Sequence, residues 1–143
     1  QSADGSGNML VNRIGKFNFD THTHALPRNR INSFLTWKYE DYETGFNARY
    51  ISSYKNNRTI PDSAASLGYK SKVDSFLVFD LSFKLPIGVL FNNVSLDAKF
   101  ALINLFDENP PLLYDAPDFS FDTRVHDPRG RMLNIQFELG LMN

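Results

Sequence analysis

Hydrophobic and polar residues alternate with a period of two along five separated stretches, and each stretch predicts a β-strand rather than a helix. The C-terminal stretch does so without a miss. Leu133, Ile135, Phe137, Leu139 and Leu141 share one face, and Asn134, Gln136, Glu138 and Gly140 share the other. The pattern places strands over 30–39, 42–54, 75–85, 95–106 and 131–142. In the first, Ser33, Leu35, Trp37 and Tyr39 oppose Asn32, Thr36 and Lys38. In the second, Phe46, Ala48 and Tyr50 oppose Glu43, Asn47 and Arg49. The third sets Leu77, Phe79, Leu81, Phe83 and Leu85 against Asp80, Ser82 and Lys84. The fourth sets Leu96, Ala98, Phe100 and Leu102 against Ser95, Asp97 and Lys99.

Only Glu40 and Asp41 separate the first two strands, which predicts a two-residue hairpin. Such a turn pairs Tyr39 with Tyr42, Trp37 with Thr44 and Leu35 with Phe46, so both apolar faces fall on one side. It also sets Lys38 opposite Glu43, a favourable cross-strand pair. The register from the turn and the register from hydrophobicity agree. The other connections are long (1–29, 55–74, 107–130) or moderate (86–94), and they read as polar loops, the first with a fragment of strand. The fold class expected is all-β: an antiparallel up-and-down meander of about five strands, each paired to its sequence neighbour. Its edges are 30–39 and 131–142.

The charges decide what the apolar face can touch. Lys38, Glu43, Arg49, Asp80, Lys84, Asp97, Lys99 and Glu138 all lie opposite the aliphatic and aromatic side chains. A charge facing lipid near the bilayer midplane costs roughly 2–4 kcal/mol, so a transmembrane barrel must sort its charges in this way. The strands are long enough for the roughly 9–11 residues a membrane strand needs. Connections that alternate between short and long match the short turns and long loops of outer-membrane barrels. The expectation is that Leu35, Phe46, Phe79, Leu81, Phe83, Phe100, Phe137 and Leu139 lie on a convex, lipid-side surface. Lys38, Arg49, Asp80, Lys84, Lys99 and Glu138 would line the concave side.

Composition narrows the alternatives. Fifteen basic against sixteen acidic residues give no electrostatic case for nucleic acid. The absence of cysteine excludes a disulfide scaffold and a thiolate metal site. Aromatic residues at 14%, mostly Phe, suit strands and membrane-interface belts. No apolar run is long enough for a transmembrane helix. The opening residues, QSADGSGN, lack a cap or an apolar residue to begin an element and read as the middle of a surface loop. The chain is therefore expected to be the C-terminal portion of a longer one.

Two groups of side chains invite a chemical reading. His22 and His24 would point the same way on an extended segment, as two metal ligands do, but nothing nearby supplies a third, and a solvated loop is favoured. Asp107, Glu108, Asp115, Asp118, Asp122 and Asp127 crowd one loop, yet their spacing matches no EF-hand, and a hydrated loop is favoured again. No nucleophile–base pair or phosphate-cradling glycine loop is evident. No catalytic residue, metal or cofactor is assigned, and no ligand-binding residue can be named.

Five stretches, in this order, carry a family resemblance: LPRNRINSFLTW (26–37), GFNARYISSY (45–54), VDSFLVFDLSFKLP (73–86), INLFDENPP (103–111) and DPRGR (127–131). With the alternating strand that follows, they resemble the C-terminal end of a TonB-dependent outer-membrane receptor. The resemblance implies that 1–143 is a piece of a barrel of roughly 22 strands with a plugged lumen, the plug and earlier strands lying outside this chain. It further implies a place in the bacterial outer membrane and energised import of a scarce ligand of siderophore, cobalamin or carbohydrate type. Implied partners are outer-membrane lipid, the remaining strands and plug of the same chain, TonB through the absent N-terminal region, and the transported small molecule. The chain departs from the family in ending Leu141-Met142-Asn143 rather than on an aromatic residue. Asn104, Asp107, Pro110 and Pro111 are expected to end a strand at the barrel rim, and Asp127-Pro128-Arg129-Gly130 to set the turn back into the last strand. Two readings compete with this one: a passive porin segment, and a soluble β-sheet module that binds a small molecule or carbohydrate.

Overall fold

The computed structural model describes residues 2–3, 9–10, 12–17, 24–91, 93–116 and 119–141. Their strands are β1 (Ser2–Ala3), β2 (Met9–Leu10), β3 (Lys16–Phe17), β4 (Arg30–Tyr39), β5 (Tyr42–Ile51), β6 (Tyr54–Asn56), β7 (Lys72–Val73), β8 (Phe76–Val89), β9 (Val94–Ile103) and β10 (Met132–Leu141). One short helix, α1, covers Asp62–Ala65. β1 and β2 pair only with each other. The chain divides into two compact units, and β1 and β2 fall in the one that contains Gln1–Arg30.

The first unit is the predicted meander. Its five strands lie in the order β10-β9-β8-β5-β4, so every strand is hydrogen-bonded to its neighbour among the long strands. The sheet is open, with β4 and β10 at the edges. Register follows the alternation: Leu102 faces both Leu81 and Leu133, Phe100 faces Phe83 and Ile135, and Ala98 faces Leu85 and Phe137. A slip of one residue would turn each apolar set onto the charged face, which is why the pattern specifies the pairing. The β4–β5 turn is Glu40-Asp41, with Glu40 left-handed at φ 51°.

Three strand ends differ from the expected ones by more than one residue, each for a local reason. β5 stops at Ile51, before the predicted 54, because the Ser52 N–H donates to the Asn29 carbonyl (3.0 Å) and the Ser52 hydroxyl accepts from the Asn29 N–H (3.0 Å). β8 runs past Pro86 to Val89. Proline removes a ladder donor, and the strand absorbs it at a bulge between Pro86 and Gly88, where Gly88 takes φ 147°. The β8–β9 connection thereby shortens from the predicted 86–94 to 90–93. β9 ends at Ile103, not 106, because Asn104 turns left-handed at φ 54°.

The second unit corrects the reading of 55–74 and 107–130 as hydrated loops. It comprises Gln1–Arg30, Ile51–Phe76 and Pro110–Asp127. The strands β3, β6 and β7 form a three-stranded sheet with β6 in the centre. Phe17, Ala25, Tyr54, Val73, Leu113 and Val125 pack into its core. Such two- and three-residue strands carry too few positions to show a period, so this core was invisible to pattern reading.

Candidate functional site

The two faces of the five-stranded sheet are the chain's most distinctive feature. One face carries the side chains predicted to be lipid-facing; among them Phe79, Leu81 and Phe100 are half-buried, and Ala98 beside them is buried. Leu35, Trp37, Phe46, Phe83, Ile135, Phe137 and Leu139 are all exposed, Phe137 by 64% and Leu139 by 68%. Phe46 and Phe79 stack across strands at 5.4 Å. Soluble monomers rarely expose contiguous apolar patches beyond a few hundred Å². The aromatic residues are also graded along the strands. Trp37 stacks on Tyr39 (5.9 Å) beside the Glu40-Asp41 turn, with Tyr42 exposed next to them. Aliphatic side chains and Phe occupy mid-strand. Amphipathic rings thus gather at the β4–β5 turn, with aliphatic side chains and Phe farther along the strands.

On the other face, all eight strand charges named from the sequence pair off. Lys38 Nζ lies 2.9 Å from Glu43 Oε2, Arg49 Nη2 3.1 Å from Asp80 Oδ1, Lys84 Nζ 2.7 Å from Asp97 Oδ2, and Lys99 Nζ 2.6 Å from Glu138 Oε1. Partly hydrated pairs of this kind contribute about 0–1 kcal/mol each. Their effect is on specificity: they fix the register and cancel charge along the face. A depression of about 540 Å³ between the Lys38–Glu43 and Lys84–Asp97 pairs is lined by both signs of charge. It can hold water and polar groups without selecting a ligand by charge.

Asp80 reaches beyond its ion pair. Its Oδ1 also accepts the Asn104 N–H (2.9 Å), and its Oδ2 accepts from Asn47 Nδ2 (3.0 Å). Asn104, itself buried, then clamps the next turn by donating from Nδ2 to the Glu108 carbonyl and accepting the Glu108 N–H at Oδ1, both at 2.9 Å. Asp107 Oδ1 accepts the Arg131 N–H at 2.7 Å, where β10 begins. A Cβ at Gly130 would come within 2.9 Å of that same oxygen, so the close approach needs glycine. The NLFDENPP and DPRGR motifs therefore meet: the first ends β9 and supplies the carboxylate that orients the second. This is the strand-ending role expected of Asn104 and Asp107. Replacing Asp80 with alanine strands three donors at once, and each unsatisfied buried group costs about 1–3 kcal/mol. With part of that recovered by water, Asp80→Ala is expected to destabilise the sheet by about 2–3 kcal/mol in denaturant unfolding.

The residues considered for metal binding are dispersed. His22 and Asp118 lie outside the described residues. His24 Nδ1 sits 3.4 Å from Asp122 Oδ1, and Asp115 pairs with Arg58. Among the described residues no group of three or more His, Cys, Asp or Glu could hold a metal ion. Asp122 is not hydrated, as its loop suggested, but 1% exposed. Its oxygens accept the Ala25 N–H (2.6 Å) and the Arg124 N–H (3.0 Å), which folds 24–26 onto 122–126.

Sequence reasoning passed over His126 altogether. The ring is 1% exposed, stacks on Tyr54 (6.1 Å) and meets Phe76 edge-on (5.2 Å). Nε2 lies 3.3 Å from the Tyr54 hydroxyl, and Nδ1 has no hydrogen-bond partner among the described residues. Burial holds the imidazole down at about 4, against a small upward pull from Asp122. Burial likewise raises Tyr54 far above the usual phenol range, so its hydroxyl keeps its proton. A single histidine in a polar stretch gives no sequence signal of burial.

Comparison with protein-family models, with curated proteins and with solved structures finds no match to this chain.

Proposed function

We propose that this chain is a wall segment of an outer-membrane TonB-dependent receptor, contributing five strands to a barrel that imports a scarce small ligand. The observation that carries the reading is the division of the open meander into a largely exposed apolar face and a face on which eight charges form four ion pairs. A soluble sheet needs a second layer over its apolar side. Lipid is the environment that makes this one favourable without such a layer. Short connections at 40–41 and 90–93, set against long ones at 52–75 and 104–131, support the same reading. So does the aromatic grading at Trp37, Tyr39 and Tyr42. The segment itself performs no bond-making chemistry. It supplies surface: lipid contact on one side, a charge-balanced wall on the other, and edges β4 and β10 for the remaining strands of the receptor.

Purification of residues 1–143 with and without detergent tests the reading. An apolar sheet face and two unpaired edges in water should drive association. The expected outcome is aggregation in buffer and dispersion in detergent micelles. A monodisperse monomer in detergent-free buffer, unfolding cooperatively, contradicts it and favours the soluble module.

A further inference from the structure

In the sheet β3-β6-β7, Phe17, Tyr54, Asn56 and Val73 are buried on the core side. Every position on the opposite side is lysine. Lys55, on the central strand, is paired in register with Lys16 on one flank and with Lys72 on the other. Neighbouring strands lie roughly 4.8 Å apart, so three lysines form a row spanning about 10 Å. Like charges directly opposite one another destabilise a sheet. Lysines that guard sheet edges would explain Lys16 and Lys72 but not Lys55. Among the described residues no carboxylate offsets the row: Lys55 and Lys72 make no ion pair there, and Lys16 Nζ donates to the Asn12 carbonyl at 2.9 Å. Beside it is a cavity of about 480 Å³ lined by Arg28, Lys55, Lys72 and the serines 52, 53 and 71, with no acidic residue among its walls. Arg28 also has no ion-pair partner among the described residues.

From this arrangement we infer that the Lys16–Lys55–Lys72 row and Arg28 form a binding site for a multivalent oxyanion of phosphate type. Ammonium groups meet phosphate as point charges, a guanidinium meets it as a fork, and serine hydroxyls can complete the coordination. A ligand with two anionic groups relieves both repulsive pairs at once, which a monoanion cannot do. The site lies wholly within the second unit, so it stands whether or not the five-stranded sheet spans a membrane.

The test is titration of the full 143-residue chain, in detergent at low salt, with inorganic pyrophosphate, followed by calorimetry. Saturable binding is expected, weakened at least tenfold (about 1.4 kcal/mol) by Lys55→Gln and by Lys72→Gln. Lys70→Gln, which breaks only the Lys70–Asp74 pair, should leave it unchanged. A second arm uses phosphatidylcholine vesicles with and without phosphatidic acid. Competition with pyrophosphate by the phosphatidic acid vesicles identifies a lipid phosphate as a source, and its absence identifies a soluble one. Binding that is absent, or equal in wild type and both Lys55 and Lys72 variants, overturns the proposal. Native circular dichroism of the variants excludes unfolding as the cause of a loss.

Discussion

Phe137→Arg is expected to destabilise the chain by about 2–4 kcal/mol when unfolding is measured in phospholipid bilayers. Phe137 lies mid-strand in β10, opposite Ala98, and is 64% exposed on the apolar face. If that face meets lipid, the substitution drives a guanidinium into hydrocarbon near the midplane, where neither counter-ion nor water is at hand. If it meets water, an arginine on an exposed strand position is worth no more than about 0.5 kcal/mol either way and improves solubility. The substitution thus separates the two readings by sign of effect on behaviour as well as by size. Glu138→Arg, one residue on, moves a charge only on the opposite face and breaks the Lys99 pair, for which about 1 kcal/mol is the most expected.

The second large effect is a loss of stability in acid, carried by His126 in the other unit. The folded chain holds this imidazole at about 4, while the unfolded chain protonates it near 6.5. Stability is therefore complete above about pH 6.5. As pH falls from there toward 4, the unfolded state takes up a proton that the folded state refuses, and the equilibrium shifts toward unfolding. Two and a half pH units correspond to about 3 kcal/mol. Burial, the largest cause, sets the direction; Asp122 favours the positive charge and Arg30 opposes it. Amide hydrogen exchange of 54–56 and 122–126 should accelerate as pH drops through this window, after correction for intrinsic exchange. In His126→Phe that acid-linked acceleration should vanish, whatever the variant's absolute stability.

The sequence made one unit legible and hid the other, for reasons that particular residues show. In the meander, side chains obey a strict two-residue alternation, and the Lys38–Glu43 contact predicted from the Glu40-Asp41 turn is formed at 2.9 Å. Strand order then follows from neighbours pairing with neighbours. Tyr54 marks where this logic ended. Its parity continued β5, yet the Ser52–Asn29 hydrogen bonds break the strand, and Tyr54 enters the core of the second unit. The expected strand ends at Leu85, yet Gly88 at φ 147° supplies a bulge that carries it past Pro86. Asp122 meets position 25, His126 meets 54 and 76, and the lysine row joins 16, 55 and 72, all far apart in the chain. No local window contains them. The pairing of Asp107 with Arg131 escaped for the same reason, although both motifs had been singled out separately.

The central claim, that the apolar face of the five-stranded sheet meets lipid, is tested most directly through Trp37. It is the chain's only tryptophan, lies on that face and is 58% exposed near the Glu40-Asp41 turn. With the chain reconstituted into vesicles whose lipids carry bromine at defined acyl positions, Trp37 fluorescence should be blue-shifted. It should be quenched most by bromines close to the headgroup, as befits an interface residue. Emission at the wavelength of fully hydrated tryptophan, with no quenching by bromine at any depth, would contradict the account.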